Sequence, residues 1–212
     1  MIPKIFHTIW FGKKPYKYPQ YLESFKSFHP EWEFHIWTED NLPEKMMEKK
    51  IIEFFKDQSV SPNYRSDVAR FVLLKLFGGV YADHDMECFK KFDEFLMHDS
   101  FCGSRLKNKE GKKQPFSALF GTIPNGDWIT KAEKMTLNIL NDVDYNKLCY
   151  YHKNIPYPIP TAEQMSLCDT VYPEYYFYKD LFGFNIKYSR HRWANDKEDG
   201  WLTELRKKQP VT

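Results

Sequence analysis

The stretch from Asn63 to Cys88, NYRSDVARFVLLKLFGGVYADHDMEC, decides how this chain folds. Its first part is apolar nearly all round, which predicts a buried helix over about residues 64–77. Gly78 and Gly79 then end the helix, and a β-branched and aromatic run predicts a strand from Val80 towards Met86. A buried helix that leads directly into a strand is typical of an α/β protein.

The predicted helix carries two charged residues on its otherwise apolar surface. Asp67 and Arg70 are three positions apart, so they are neighbours on one helix face. A buried charge without a partner costs several kcal/mol, which requires that these two side chains either pair or face a polar ligand. The sequence leaves both possibilities open, because an Asp–Arg pair that only fastens the helix would look the same.

The predicted strand carries a pair of acidic residues. Residues two apart in an extended chain point to one side, so Asp83 and Asp85 are expected to converge while His84 points away. Two carboxylates at a strand end are hard oxygen ligands that suit Mg²⁺ or Mn²⁺. An acidic loop without a ligand is the simpler interpretation of these residues alone. The nearby charged helix and the Gly-Gly turn favour a functional site.

Further strands and helices alternate on both sides of this stretch. Alternation predicts a mostly parallel central sheet with helices on both faces, in which ligands bind at the carboxyl ends of the strands. The sequence predicts strands at 2–10, 33–37, 101–104 and 116–122, and helices around Tyr21 to Phe28, from Glu44 to Phe55 and from Asp127 to Leu140.

Composition narrows the class of protein. The 212 residues, 42% of them hydrophobic, suit one compact domain. The 31 basic residues nearly balance the 29 acidic ones, and a net charge of +2 does not favour nucleic acid as a main partner. The four cysteines are scattered singly, so we expect reduced thiols and no zinc site built from cysteine.

The chain shows no targeting or membrane-spanning segment. Its longest apolar runs are far shorter than the ~20 residues that cross a bilayer. Its start, MIPKIFHTIW, lacks the apolar stretch and the cleavage site of a secretory signal. We therefore expect an unprocessed cytoplasmic protein, which works in solution or in peripheral contact with a membrane face.

The run SDVARFVLLKLFGGVYADHD resembles the S-D-x-x-R…G-G-x-Y-x-D-x-D signature of glycosyltransferase family 32, a family related to the glucosylating domains of large clostridial toxins. The opening IPKIFHTIWFGKKP and the later YSRHRWANDKEDGW resemble the start and the closing H-x-W element of the same family. The resemblance implies a GT-A (Rossmann-like) α/β fold for a single domain over residues 1–212, either complete or the first domain of a longer protein.

The resemblance also implies an activity, which is transfer of a hexose from a nucleoside diphosphate sugar, with UDP as the expected carrier. The acceptor would be a hydroxyl of a glycan or a lipid-linked saccharide. Anomeric configuration would be retained, with Mn²⁺ or Mg²⁺ as cofactor. The departing diphosphate would then be stabilised by the metal and by nearby cations.

Site residues follow from the resemblance position by position. Asp85, His191 and Asp83 would hold the metal, and Trp10 would stack on the donor base, as its flat ring allows. Glu163-Gln164 resembles an acid and amide pair that lies under the donor sugar in related retaining enzymes. The residues implied in donor binding are Thr8, Trp10, Asp67, Arg70, Tyr81, Asp83, Gln164 and Trp193 (or Trp201), and Asp83, Asp85 and Arg70 are implied in catalysis.

Three other interpretations fit part of the sequence. A phosphohydrolase of the haloacid dehalogenase type also places D-x-D after a strand, but it expects Thr or Val shortly after the second Asp, where this chain has Met86-Glu87-Cys88. A nucleotide-sugar-binding module without catalytic activity would share the binding residues. A structural or interaction protein would bind no metal-dependent ligand at all.

Overall fold

A computed structural model describes residues 1–105, 114–142, 168–178 and 187–192 of the chain. The strands are β1 (Ile5–Ile9), β2 (Glu33–Trp37), β3 (Gly79–Ala82), β4 (Met86–Cys88), β5 (Ser100–Arg105), β6 (Gln114–Thr122), β7 (Thr170–Tyr172) and β8 (Ser189–His191). The helices are α1 (Pro19–Phe28), α2 (Lys49–Lys56), α3 (Pro62–Phe77), α4 (Asp127–Asp142) and the single turn α5 (Glu174–Phe177).

Six strands form the central sheet, in the order β2-β1-β3-β6-β5-β7. β1 runs parallel to both β2 and β3, and β5 runs parallel to β7. β6 lies antiparallel between β3 and β5. The predicted mostly parallel sheet is confirmed, with β6 as the strand that departs from it, while β4 and β8 pair in a separate two-stranded ribbon.

Both faces of the sheet are covered, as predicted. The alternation of side chains in β3 shows this division: Tyr81 packs into the core beneath α2, α3 and α4, whereas Val80 and Ala82 pack into the core beneath α1, α5 and the ribbon. Helix α3 is buried along most of its length, as its apolar sequence predicts. Among the described residues, no helix combines the length and the apolar composition that a bilayer crossing requires.

The predicted helix from Glu44 to Phe55 is wrong in its first half. Glu44–Met46 form a short 3₁₀ turn, and α2 begins only at Lys49. Between them Met47 is extended (φ −121°, ψ 150°), and its side chain packs against the core beneath α2 and α3. Burial of Met47 therefore overrides the helical spacing of the sequence.

The predicted strand from Val80 towards Met86 is also shorter than expected. β3 ends at Ala82, and His84 and Asp85 form a turn in which the Met86 N–H donates to the Asp83 carbonyl at 3.0 Å. The next strand, β4, belongs to the ribbon and not to the central sheet. The chain thus changes sheets at the D-x-D residues.

Two glycines make the junction between α3 and β3 possible. Gly78 and Gly79 have φ values of +65° and +93°, a region that disfavours other residues. A Cβ on Gly79 would lie 2.4 Å from the carbonyl oxygen of Ile5. The backbone can therefore leave the helix and enter the sheet beside β1 within two residues.

A buried histidine fastens the same junction. The Trp37 indole N–H donates to His7 Nδ1 at 3.0 Å, so the proton lies on Nε2, which donates to the Gly78 carbonyl at 2.9 Å. Burial, assisted by the neighbouring His35, lowers the pKa of His7 to about 3. The neutral imidazole is the form that the fold stabilises.

We predict that His7 makes the protein less stable in mild acid. Because its native pKa is about 3 and an unfolded histidine titrates near ~6.5, the unfolded chain takes up the proton first as the pH falls. The contribution of His7 is therefore complete above pH ~6.5 and is reduced by about 2 kcal/mol at pH 5. In urea unfolding, His7→Asn should lose less stability between pH 7 and pH 5 than the wild type. Equal losses in both proteins would contradict this assignment.

Candidate active site at the carboxyl edge of the sheet

The site residues gather where two parallel strands end. Thr8 lies in β1 and Trp10 directly after it, while Asp83 follows β3. Because β1 and β3 are parallel neighbours, their carboxyl ends lie along one edge of the sheet. This is the edge where ligands were expected from the sequence.

Arg70 of α3 lies at the centre of the charged groups. Its Nη2 donates to Asp67 Oδ1 in a short ion pair, and its Nη1 lies 3.3 Å from Asp83 Oδ1. All three side chains are at most 21% exposed. The buried helix therefore keeps its charges by pairing them, and it places the guanidinium against the first D-x-D carboxylate.

Two further groups fix this guanidinium. Nη1 of Arg70 also donates to the backbone carbonyl of Ser117 in β6 at 2.8 Å, and its Cζ lies 4.8 Å from the centre of the Tyr81 ring. The Tyr81 hydroxyl donates to Asp83 Oδ1 at 2.8 Å. Arg70 Nε is buried and has no hydrogen-bond partner among the described residues.

Burial and the neighbouring charges shift the pKa values of Asp67, Arg70 and Tyr81. Burial raises the pKa of Asp67 to about 6, with the Arg70 charge opposing and the Asp83 charge adding to the rise. Burial alone would lower the pKa of Arg70, but Asp83, Tyr81 and Asp67 raise it above its usual range. Burial also raises the pKa of Tyr81. Arg70 therefore stays charged and Tyr81 stays a neutral donor.

The second D-x-D carboxylate, Asp85, lies beside His191, near the end of the described residues. His191 of β8 pairs with Met86 of β4, so the ribbon holds it beside the turn that carries Asp85. The backbone N–H of Arg192 donates to the backbone carbonyl of Asp85 at 2.9 Å. His191 Nε2 lies 2.9 Å from Asp85 Oδ1 and 3.9 Å from Asp83 Oδ2. Residues more than a hundred positions apart thus converge.

Asp83, Asp85 and His191 form a set that fits a divalent cation. Each offers one ligand atom, and the three atoms lie within 4.8 Å of one another. Ligands of one ion at about 2.1 Å are at most ~4.2 Å apart, so inward movements of a few tenths of an ångström would let all three bind. Two carboxylates with an imidazole suit Mn²⁺ better than Mg²⁺, which prefers oxygen alone.

Aromatic rings line the same edge beside the carboxylates. Trp10 contacts Tyr16 and His84 at centroid distances of 5.3 and 4.9 Å, and its indole N–H donates to the Lys14 carbonyl at 2.6 Å. His84 thus points into the aromatic cluster and not at the metal-binding set, as predicted. Thr8 lines a small crevice with Tyr16, Asp83 and His84, and its buried hydroxyl has no hydrogen-bond partner among the described residues.

Two of the predicted residues, Gln164 and Trp193, lie outside the described residues, as do Glu163 and Trp201. The structure brings together the remaining predicted residues, which are Thr8, Trp10, Asp67, Arg70, Tyr81, Asp83, Asp85 and His191. Asp83 and Asp85 converge through a turn at His84–Asp85 rather than along an extended strand, and the roles of these residues stay predictions.

Sequence analysis missed Ser117 as a partner of Arg70. Its carbonyl contact depends on how β6 runs beside β3, and no local pattern signals it. Two basic residues near His191 contact neighbouring side chains: Lys187 Nζ lies 4.5 Å from the centre of the Tyr176 ring, and Arg192 pairs with Glu87.

Comparison with known proteins assigns this chain to a family. Residues 15–102 match the family described as "Glycosyltransferase sugar-binding region containing DXD motif". The chain is 30% identical over 190 residues to an uncharacterized glycosyltransferase of Acanthamoeba polyphaga mimivirus, and the match covers 81% of this chain and 72% of that protein. The chain belongs to the DXD-containing glycosyltransferases. This membership replaces the phosphohydrolase interpretation.

Another relative and a solved structure add detail. Inositol phosphoceramide mannosyltransferase 3 of Schizosaccharomyces pombe is 31% identical over 104 residues, which are 47% of this chain but only 29% of that protein. The structure of the galactosyltransferase LgtC, in complex with donor and acceptor sugar analogs, aligns with a TM-score of 0.50 and 12% identity over 98% of this chain and 97% of that one. The structural likeness confirms the GT-A fold of this glycosyltransferase.

We predict that Arg70→Met destabilises the glycosyltransferase by roughly 3 kcal/mol, because it leaves the buried Asp67 and the partly buried Asp83 without their cation. Urea unfolding at pH 7 measures this loss. Lys26→Met is the control, since the side chains of Lys26 and its partner Glu23 are 43% and 62% exposed and a surface pair contributes at most about 1 kcal/mol. Similar losses in the two variants would show that Arg70 does not hold the site together.

Proposed function

We propose that this glycosyltransferase domain transfers a hexose from a UDP-sugar to a hydroxyl acceptor in a reaction that depends on Mn²⁺. One observation carries the proposal: Asp83, Asp85 and His191 offer ligand atoms within 4.8 Å of one another. They do so at the sheet edge where Trp10 and Arg70 also lie. A divalent cation bound there would neutralise the charge that develops on a departing diphosphate.

Trp10 is the proposed contact for the donor base. Its half-buried ring follows β1 directly, and the hydrogen bond from its indole to Lys14 fixes its orientation. Stacking on an aromatic ring suits a nucleobase of any identity. The buried hydroxyl of Thr8, in the crevice beside Asp83, is the proposed polar contact for the donor ribose.

Arg70 and Asp67 have different proposed roles. Two of the three guanidinium nitrogens of Arg70 already bind Asp67, Asp83 and Ser117, and its Nε is the remaining buried donor. We propose that Arg70 meets the donor sugar or its phosphate, while Asp67 chiefly orients Arg70. The Tyr81 hydroxyl in turn holds Asp83.

Retention of configuration is part of the proposal. Among the described residues, Asp67 pairs with Arg70, and Asp83 and Asp85 are assigned to the metal. Of these three carboxylates none is then left to act as a covalent nucleophile. In a front-face reaction the diphosphate oxygen leaves the anomeric carbon, takes the proton of the acceptor hydroxyl, and the acceptor oxygen bonds to the same face.

For the acceptor we propose a glycan or a lipid-linked saccharide. The name of the relative inositol phosphoceramide mannosyltransferase 3 supports an acceptor hydroxyl carried on a lipid, although this chain covers only 29% of that protein. We further propose a single domain over residues 1–212 that works in the cytoplasm, at or near a membrane face. The free buried thiols of Cys88, Cys102 and Cys168 favour a reducing compartment.

We predict that Asp85→Ala abolishes metal-dependent nucleotide binding. Calorimetric titration of the wild type with UDP should show binding in Mn²⁺ that EDTA removes, because the diphosphate is held through the metal. Asp40→Asn, which removes an exposed carboxylate after β2, should bind as the wild type does. UDP binding that ignores EDTA and Asp85→Ala would refute the proposed function.

Catalysis is separated from binding by a second assay on the same proteins. Slow Mn²⁺-dependent release of UDP from a UDP-hexose by the wild type, absent in Asp85→Ala, would show that the site performs chemistry. Binding without any release across a panel of UDP-sugars would instead support a binding module without catalytic activity.

We predict a graded effect at Trp10. Base stacking contributes about 1–3 kcal/mol, so Trp10→Leu should weaken UDP binding by roughly tenfold or more. Trp10→Phe retains a smaller ring and should give an intermediate loss. The affinity for Mn²⁺ alone should stay as in the wild type, since Trp10 offers no ligand. Equal UDP affinity in all three proteins would remove Trp10 from the base site.

A further inference from the structure

A bulge in β6 lies directly against the charged site. Cys102 pairs with Phe120 while the next residue, Gly103, pairs with Phe116, so residues 117–119 of β6 have no partner in β5. Two of these residues turn their carbonyls to the site. The Ser117 carbonyl accepts from Arg70 at 2.8 Å, and the Ala118 carbonyl accepts from the Asp83 N–H at 2.8 Å.

One tyrosine closes this bulge. The Tyr178 hydroxyl lies 3.0 Å from the Phe116 carbonyl oxygen and 3.1 Å from the Leu119 carbonyl oxygen, the two ends of the bulged segment. The Tyr178 side chain is 1% exposed. Its ring occupies the space beside Gly103, where a Cβ would lie 2.5 Å from Tyr178 Cε2. The hydroxyl thus contacts the segment at Phe116 and Leu119, while Arg70 contacts Ser117 between them.

The same tyrosine also holds the histidine of the metal-binding set. The Tyr178 carbonyl accepts from the His191 N–H at 3.2 Å. The rings of Phe116, Tyr178 and His191 contact one another, with centroids 5.3 to 6.4 Å apart. Tyr178 is therefore in contact with both halves of the site, which come from distant parts of the chain.

We propose that Tyr178 is a positioning residue, which sets the distance between the Asp83–Arg70 pair and His191 without contacting substrate. It acts through the bulge on one side and through the backbone of β8 on the other. This inference rests on the proposed function, because it assigns Tyr178 to the geometry of the same metal site. A purely structural tyrosine would contribute to stability but not to metal affinity.

The test compares two Tyr→Phe variants. Tyr178→Phe removes only the hydroxyl that closes the bulge. Tyr188→Phe is the matched control, since Tyr188 is also buried but its hydroxyl contacts Glu94 and Lys90, away from the site. Calorimetry measures the Mn²⁺ affinity of each protein in the presence of UDP, at a temperature where circular dichroism shows all of them folded.

We expect Tyr178→Phe to weaken Mn²⁺ binding by at most about tenfold, the low end of the ~10–100-fold effect of groups that hydrogen-bond a metal ligand, because its hydroxyl acts through the bulge. Tyr188→Phe should stay within about twofold of the wild type while losing comparable thermal stability. Gly103→Ala gives a second test. It retains the hydroxyl but displaces the Tyr178 ring, so it should weaken Mn²⁺ binding as well.

The possible failures are distinguishable. If the wild type shows no Mn²⁺-dependent UDP binding, the proposed function fails and this inference fails with it. If the wild type binds but Tyr178→Phe and Gly103→Ala keep the affinity of Tyr188→Phe, Tyr178 is structural only, and the proposed function is unaffected.

Discussion

The buried guanidinium of Arg70 is the constraint on which the site depends. It carries one positive charge among Asp67, Asp83 and the Ser117 carbonyl, and the side chains of Arg70 and Asp67 are only 7% and 12% exposed. Because burial disfavours the charged form of Asp67 and the Arg70 charge opposes that effect, helix α3 and strands β3 and β6 must keep one mutual position. The residues of the candidate active site are thus held in place by the buried charge of Arg70.

The antiparallel strand β6 follows from the same constraint. The antiparallel register of β6 beside β3 brings the carbonyl oxygens of residues 117 and 118 to Arg70 and Asp83. Tyr178 contacts both the bulge of β6 and the backbone of His191 in the ribbon. The structure therefore links the DXD turn to a residue more than a hundred positions later, and the three proposed metal ligands lie close together.

Local patterns were enough to predict α3, the Gly78-Gly79 turn and the sheet edge at which the site lies. α3 is an apolar run of helix length that ends at two glycines, whose positive φ values few other residues adopt. The turn at His84–Asp85 and the bulge opposite Tyr178 were not predictable, because each is fixed by partners far along the chain: His191 for the turn, and Gly103 for the bulge. The extended backbone of Met47 was not predictable for the same reason, because it depends on packing of the Met47 side chain against the core.

The proposed function requires that Asp83, Asp85 and His191 bind one divalent ion beneath the donor. Anomalous diffraction at the manganese edge, from crystals grown with Mn²⁺ and UDP, tests this binding most directly. We expect one strong peak within about 2.3 Å of an oxygen of each aspartate and of His191 Nε2, with the UDP phosphates on its open side. A peak elsewhere, or UDP bound with no peak among these three residues, would contradict it.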